Sequence, residues 1–350
     1  MTSIRKLAEL AGVSRATVSR ALLGQPYVAP EKKARILELA EQCHYRPNRL
    51  AQGVLAGRSR LLGILWFSLS DSFFSRVLSS VMRHAFSVPY HAVMMETGGD
   101  PRHTRDALHA LIEQRVEGAI INSGHDAPLP RQSLLELRSH NVVPIAVDVT
   151  HADLPLDIVR SDETQMAELA VEYLRSLGHR DIGYMEWLGM ADKISPRREA
   201  VLAALYQKNS TRPTARARIA ERLWPTRQMR LYHSTGHLPT AIIAFNDAVA
   251  LRVIRMLAQN TIAVPGEVSV LGYGTFSFSG DTVPAITSIE QHPDEIGRLT
   301  FELFHQRIQQ QTEGLTMAPE IRCVPAELAV QESCAPVHPF QQRIPMQRLA

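Results

Sequence analysis

The stretch Ala11–Gly24, AGVSRATVSRALLG, sets two arginines, Arg15 and Arg20, among small and hydroxylated residues directly after a Gly-Val-Ser turn. Its apolar positions Val18, Ala21 and Leu22 fall on one side of a helix, which leaves Arg15, Ala16, Ser19 and Arg20 outward or near its start. Upstream, Ile4, Leu7, Ala8 and Ala11 recur at i, i+3, i+4 and i+7, with Ser3 placed to cap that helix and Gly12 to end it. Downstream, Gly24 and Pro26 stop the second helix. A third begins with Pro30 at the favoured first position and carries Ile36, Leu37 and Ala40 as its apolar stripe. Short helices with a tight glycine turn between the first two describe a helix-turn-helix. The same pattern also suits a helical packing unit that touches no nucleic acid.

Charge bears on that choice. Residues 1–60 hold eleven Lys and Arg against four Glu, a net of +7, and the other 290 residues sum to −4. Such asymmetry fits a nucleic-acid-binding head on a near-neutral body, with a solvated basic face as the plainer alternative. An arginine fork donates to guanine O6 and N7 together, a pairing that discriminates by about 1–3 kcal/mol. Arg15 and Arg20 sit where a recognition helix meets base edges. Ser14, Thr17 and Ser19 are short donors suited to phosphates, which fix register without reading sequence.

The rest of the chain sets the setting. Its 350 residues, 45% of them hydrophobic, suffice for two or three domains with a substantial core. Cys43, Cys323 and Cys334 are an odd number without metal-ligand spacing, which supports neither a disulfide framework nor a zinc site. The longest apolar run, LLGILWF from Leu61, is far short of the roughly 18 residues of a membrane span, and no signal-peptide core opens the chain. A cytoplasmic location is expected.

From Leu61 onward, short apolar runs alternate with helical patterns. The runs LLGILWF, HAVMME, GAIIN, VPIAVD, DIGYM, TAIIAF, EVSVLGY and AITSIE read as strands, with helices near 73–86, 103–114, 131–140, 164–177, 196–207, 247–259 and 293–310. That alternation implies parallel sheets covered on both faces, with enough strands for two lobes. No Gly-rich phosphate loop, nucleophile elbow or metal-spaced His/Asp/Glu cluster is found, and TGGD at Thr97 is too short to count. Neither catalysis, a cofactor nor a metal is expected. The arginines Arg212, Arg216, Arg218, Arg222, Arg227 and Arg230, against Glu221 alone, read as a solvated loop or helix face, with an anion or partner surface as the minority reading.

IRKLAELAGVSRATVSRALLG and VAPEKKARILELAEQCHYRPN resemble the lac/gal repressor family of bacterial transcription regulators. The likeness continues through SLSDSFFSRV, LAVEYLRSLGHRDIGYM, TAIIAFNDAVALRVI, VPGEVSVLGY and EIGRLTFELF. It implies an N-terminal all-α helix-turn-helix head over 1–46, a hinge helix and linker over 47–60, and an effector-binding and dimerisation body over 61–333, followed by a tail. That body would be α/β, two-lobed and periplasmic-binding-protein-like, with one lobe from about 61–160 and 291–325 and the other from about 161–290 and 326–333.

By the resemblance, Arg15, Ala16 and Arg20 lie at base edges, and LAQGVLAG is the hinge that folds on the operator and enters the minor groove. Asn48, Ala51, Val54 and Leu55 thereby join Ser14, Thr17 and Ser19 as DNA contacts. Family hinges follow an alanine, three residues on, with a leucine wedge; here that place holds Val54, a smaller tool for prying a base step apart, with Leu55 beside it. Leu23 stands where an asparagine commonly touches the DNA backbone, and Ala29 replaces the usual serine cap. Gly53 weakens the hinge helix by about 1 kcal/mol relative to alanine, which suits a hinge that orders only on DNA.

In the body the resemblance places Phe73, Phe74, Asp162, Arg197, Asn246 and Gln291 at a cleft for a small effector, often a sugar or nucleobase in the family. Each has a plainer reading: the two phenylalanines as core, Arg197 as a surface cation, and neighbouring Asp247 as a helix cap. Where the family carries G-[FY]-D, this chain reads GYGTFSFSG and has Gly274 in place of the aspartate, without that strong acceptor. An anionic ligand, an altered pose and no ligand all stay open. The implied function is a sequence-specific regulator, by the family's common outcome a repressor, that binds a palindromic operator as a homodimer under effector control and needs no membrane. A small-molecule binding protein without DNA regulation is the alternative, and an enzyme on the α/β body is a third.

Overall fold

The computed structural model describes residues 3–22, 27–45, 58–88, 90–124, 129, 131–149, 156–187, 195–207, 220–223, 229–233, 237–274, 279–337 and 344–345. The hinge positions Asn48, Ala51, Gly53, Val54 and Leu55, with Leu23, lie outside them. Two units emerge, 1–60 and 61–350.

In the first unit, Ser3 Oγ accepts from the Lys6 N–H at 3.2 Å and opens α1 (Ile4–Ala11). Gly12 closes it in the left-handed region at φ 62°, where a Cβ would be penalised. Ser14 Oγ accepts from the Thr17 N–H at 3.1 Å at the start of α2 (Arg15–Leu22). Pro30 opens α3 (Pro30–Gln42), and Ala29 before it makes no side-chain cap bond. Leu7, Ala8, Val18, Ala21, Val28, Ile36, Leu39 and Ala40 form the core of this unit. The α3 stripe departs from the sequence reading: Leu37 is 44% exposed and Leu39 is buried. Ile36, Leu39 and Ala40 keep the i, i+3, i+4 spacing that Leu37 breaks.

In the second unit, β1 (Leu61–Trp66), β2 (His91–Glu96), β3 (Gly118–Ile121), β4 (Val143–Val147), β5 (Asp157–Ser161) and β12 (Ile321–Val324) make a parallel sheet in the order β12-β5-β4-β3-β1-β2. Alternate β1 side chains serve opposite faces. Leu62, Ile64 and Trp66 pack with α4 (Ser72–Phe86) and α10 (Pro293–Thr312), whereas Leu65 packs with α5 (Pro101–Glu113) and α6 (Arg131–Ser139). The α4 and α10 backbones come close because residue 297 is glycine: a Cβ there would lie 2.5 Å from the Val77 carbonyl oxygen.

The second sheet has the order β13-β11-β10-β9-β6-β8-β7. It comprises β6 (Ile182–Trp187), β7 (Ala220–Leu223), β8 (Met229–His233), β9 (Ala241–Ala244), β10 (Ser269–Tyr273), β11 (Thr287–Glu290) and β13 (Glu327–Ala329). Its centre is parallel, while β13 on one side and β8 on the other run against it, and β7 pairs antiparallel with β8. Helices α7 (Glu163–Ser176) and α8 (Pro196–Gln207) pack on one face and α9 (Asp247–Gln259) on the other. Part of the arginine-rich segment, read from sequence as a loop or helix face, is thus the β7–β8 edge, with Met229 and Leu231 buried.

The chain passes between the two sheets three times, after β5, after β11 and between β12 and β13. Each lobe is therefore assembled from separate stretches of sequence. Among the described residues no helix is long and apolar enough to cross a membrane.

Candidate functional site

Val18 and Ala21 turn one side of α2 into the core of its unit, which leaves Arg15, Ala16 and Arg20 exposed and Ser19 half-buried. Among the described residues neither Arg15 nor Arg20 has an ion-pair partner, whereas Arg5 and Lys6 on α1 pair with Glu9. Two unpaired guanidinium forks on a helix anchored from behind suit base edges. Ser14 and Thr17 are already engaged with each other: their hydroxyl oxygens lie 2.9 Å apart while Ser14 also caps the helix.

The body has a cavity of about 20 Å³, room for a single water, lined by residues of both lobes. Open α/β sheets place ligands outside the carboxyl ends of their strands, and several lining residues lie there. Phe245 follows β9, Tyr273 ends β10 and Gln291 follows β11. From the other lobe, Asp71 Oδ1 accepts from the Phe73 and Phe74 N–H groups at 2.9 and 3.3 Å and starts α4 at the cavity wall. Both phenylalanines are at once core and wall: their rings meet edge to face at 5.1 Å, and Phe74 meets Trp66 the same way at 6.2 Å.

Arg197 is no surface cation, being 4% exposed. Its Nε and Nη2 donate to the two Glu163 carboxylate oxygens at 3.0 and 2.9 Å, and Nη1 donates to the Phe245 carbonyl at 2.7 Å. The guanidinium lies 4.8 Å from the Tyr273 ring centre and 5.2 Å from that of Phe245. Burial works against its charge, but the Glu163 carboxylate outweighs that and raises its pKa above the usual arginine value. Burial likewise pushes the Tyr273 hydroxyl up, against the pull of Arg197.

The structure thus gathers Phe73, Phe74, Arg197, Asn246 and Gln291 at one cavity, and Asp162 is not among them. Asp162 caps α7, accepting from the Thr164 and Gln165 N–H groups, each at 3.0 Å. Asn246 caps α9 by accepting from the Val249 N–H at 2.9 Å. Neighbouring Asp247, which sequence reading offered as that cap, is instead buried against the Ser279 and Ser288 hydroxyls at 2.6 and 2.7 Å. Sequence reasoning missed Asp71, Phe245, Tyr273 and Glu163. The Asp-Ser-Phe-Phe cap and the strand ends were available signals; the Glu163–Arg197 pair, between helices 34 positions apart, had none.

Two buried groups nearby have no hydrogen-bond partner, Trp66 Nε1 at the end of β1 and Asn122 Oδ1 just past β3. A larger open depression of about 490 Å³ lies between α4 and α10, and its arginines are engaged by carboxylates. Arg76 and Arg83 both pair with Asp294, and Arg298 pairs with Glu295. No cluster of three or more potential metal ligands occurs among the described residues.

A model of the bacterial regulatory proteins of the lacI family matches residues 3–48, the α1–α3 unit, and a periplasmic binding protein-like domain matches residues 171–334. The chain carries a lacI-family DNA-binding domain followed by a periplasmic binding protein-like domain. This regulator is 27% identical over 337 residues to the HTH-type transcriptional repressor PurR of Vibrio parahaemolyticus, an alignment covering 92% of its own chain and 97% of that relative. It is 26% identical over 330 residues to PurR of Actinobacillus pleuropneumoniae, with the same coverages. The lac repressor dimer bound to operator and the anti-inducer ONPF matches it with a TM-score of 0.76 at 23% identity, over 95% of the regulator and 99% of that chain. The CelR–cellobiose complex matches with a TM-score of 0.60 at 22% identity, over 95% and 100%. At these identities the solved structures establish the regulator's fold.

Proposed function

We propose that the regulator is a sequence-specific repressor that binds a palindromic operator as a homodimer and responds to a small molecule held between its lobes. The observation that carries this reading is α2: Arg15, Ala16 and Arg20 stand exposed on a helix fixed from behind by Val18 and Ala21, inside the segment matched by the lacI-family model. One such helix spans few base pairs, so a two-fold pair on a palindrome supplies the missing length. Relatives named as transcriptional repressors give repression as the outcome. The aromatic cavity at the strand ends supplies a place for the effector. The reading makes the chain a binding protein without turnover that works in the cytoplasm.

Selection of bound fragments from a random DNA library identifies the site. A salt series on the selected palindrome against random duplex then separates base reading from phosphate attraction. A preference that persists across the series supports the proposal. Equal affinity for both duplexes at every salt concentration sinks it.

A further inference from the structure

We propose that Thr17 acts on DNA through Ser14 and not by direct contact: its hydroxyl donates to Ser14 Oγ and so turns the Ser14 proton outward, as the donor to a phosphate at the start of α2. The inference rests on the head binding DNA, and it makes Thr17 a positioning residue where sequence reading made it a phosphate donor in its own right. Ser14 Oγ already accepts from the Thr17 N–H at 3.1 Å, and the two hydroxyl oxygens lie 2.9 Å apart. A hydroxyl has two lone pairs and one proton. With the Thr17 proton on its second lone pair, Ser14 has filled both acceptor places from its own helix, and what it has left to offer is its proton. The opposite polarity turns that proton inward and presents DNA with an oxygen lone pair, which repels a phosphate oxygen. Exposure agrees with the first arrangement, since Ser14 is exposed and Thr17 half-buried.

Capping alone does not call for the second hydroxyl. At α1, Ser3 Oγ accepts from the Lys6 N–H at 3.2 Å, the same bond at the same spacing, and lysine brings no hydroxyl to it. The body caps α4, α5, α7 and α9 with Asp71, Asp100, Asp162 and Asn246, whose capping oxygens are pure acceptors. An aspartate at position 14 would cap α2 as well, but it would set a negative charge against the DNA backbone. Serine caps at similar strength and brings a proton. The first bond of α2 runs from the Val18 N–H to the Ser14 carbonyl at 3.1 Å, so the Arg15 and Ala16 N–H groups have no acceptor within the helix. The Ser14 proton therefore joins two N–H groups and the positive end of the helix dipole, a donor set that suits a phosphate. Thr17 fixes the one member of that set that would otherwise rotate.

The test is a set of hydroxyl deletions in the full chain, with affinity for the selected palindrome and for random duplex measured across a salt series. Thr17→Val keeps the shape and removes the hydroxyl; it should weaken both complexes by one common factor, about tenfold for a dimer that uses two heads. Site preference and the salt slope should stay at the parent values, because a neutral donor to phosphate reads no base and releases no counterion. Thr17→Ser should restore the parent affinity. Ser14→Gly, which a helix start tolerates almost as well as serine, should weaken both complexes at least as much as Thr17→Val, and adding Thr17→Val to it should change nothing further. A Thr17→Val loss that persists in full beside Ser14→Gly shows a direct phosphate contact and overturns the proposal. So does an unchanged affinity in either single variant, a failure of Thr17→Ser to restore binding, or a fall in preference or slope, which would make Thr17 a structural residue of the head. Absence of site preference in the parent rejects the repressor instead, so the two readings fail separately.

Discussion

Removing Glu163 should cost far more than its place on a helix suggests. Its side chain is 12% exposed and that of Arg197 5%, and two bonds of 2.9–3.0 Å join them. Arginine cannot shed its proton, so Glu163→Ala leaves a charged guanidinium in a wall of rings with only the Phe245 carbonyl as partner. Breaking a buried pair from one side costs about 3–5 kcal/mol, and losing a carboxylate from the first turn of α7 adds about 0.3–1 kcal/mol. At about 2–4 °C per kcal/mol, the unfolding midpoint should fall by about 6 °C or more. Trp66, Trp187 and Trp224 all lie in the second unit, so indole fluorescence during melting follows that unit without the head. The double variant Glu163→Ala/Arg197→Met removes both charges and should recover most of the loss, since two apolar groups in place of a buried pair are often neutral. A single-variant loss below about 1 kcal/mol, or a double variant no more stable than Glu163→Ala, refutes the reasoning.

Arg20→Ala should erase preference for the selected site, a discrimination of about 1–3 kcal/mol, yet leave salt-dependent binding to random duplex; intact discrimination in fluorescence anisotropy would mean that Arg20 reads no base. Gly274→Ala should destabilise by about 1–3 kcal/mol through backbone strain alone, because a Cβ there meets nothing closer than 3.5 Å; an unchanged urea midpoint contradicts this. His179 is buried against the Thr240 and Ser269 hydroxyls, and burial lowers its pKa from the ordinary 6.5. The unfolded chain then binds the extra proton first, so its stabilising effect is complete above about pH 6.5 and is lost as pH falls toward the depressed folded value. Urea unfolding at pH 7 and 5 should show a smaller loss in His179→Gln than in the parent, and parallel losses would exclude His179 as the source. Burial pushes the Cys334 thiol up to about 12, so at pH 8 it should resist Ellman's reagent while exposed Cys323 reacts; equal labelling rates in the folded protein would contradict that burial.

The legibility of this fold follows burial. LLGILWF and TAIIAF read as strands because a parallel strand covered on both faces has no polar side, and both occupy sheet interiors. DIVRS, IRCV and ELA carry charge in runs of three to five residues, and so β5, β12 and β13 escape the same rule. At the β7–β8 edge arginines alternate with Leu223, Met229 and Leu231, an ordinary edge-strand pattern that the count of like charges obscured. In the head, glycine, proline and serine punctuation located the helices, but the neighbouring leucines of α3 differ in burial by a rotation that only packing fixes. At the cleft, the family resemblance suggested Phe73 and Arg197; the partner that neutralises Arg197 is set by how α7 meets α8, which no spacing rule encodes.

The cleft and the crossovers share side chains. Gln291, on the second crossover, donates to Ser161 at the first, while Gln165 just beyond the first holds Ala326 on the third through both of its amide atoms, at 3.3 and 2.9 Å. Two glutamines therefore tie all three strands that a lobe motion must bend, and Gln291 also lines the cavity. A guest that draws the Gln291 amide away from Ser161 alters the hinge by one neutral hydrogen bond, about 0.5–1.5 kcal/mol. Switching a two-state equilibrium from one form to the other takes about 5.5 kcal/mol. That single bond cannot supply it. The remainder has to come from contacts that exist in one lobe arrangement and not the other, and the largest such surface here is aromatic: Phe73 and Phe74 from α4 on one side, Phe245 and Tyr273 from the ends of β9 and β10 on the other. Burying a ring between them supplies energy on that scale, about 1.5–3 kcal/mol for each aromatic side chain fully covered. If the cleft holds the effector as proposed, these rings would set how strongly a guest draws the lobes together, with the Gln291–Ser161 bond a smaller contribution.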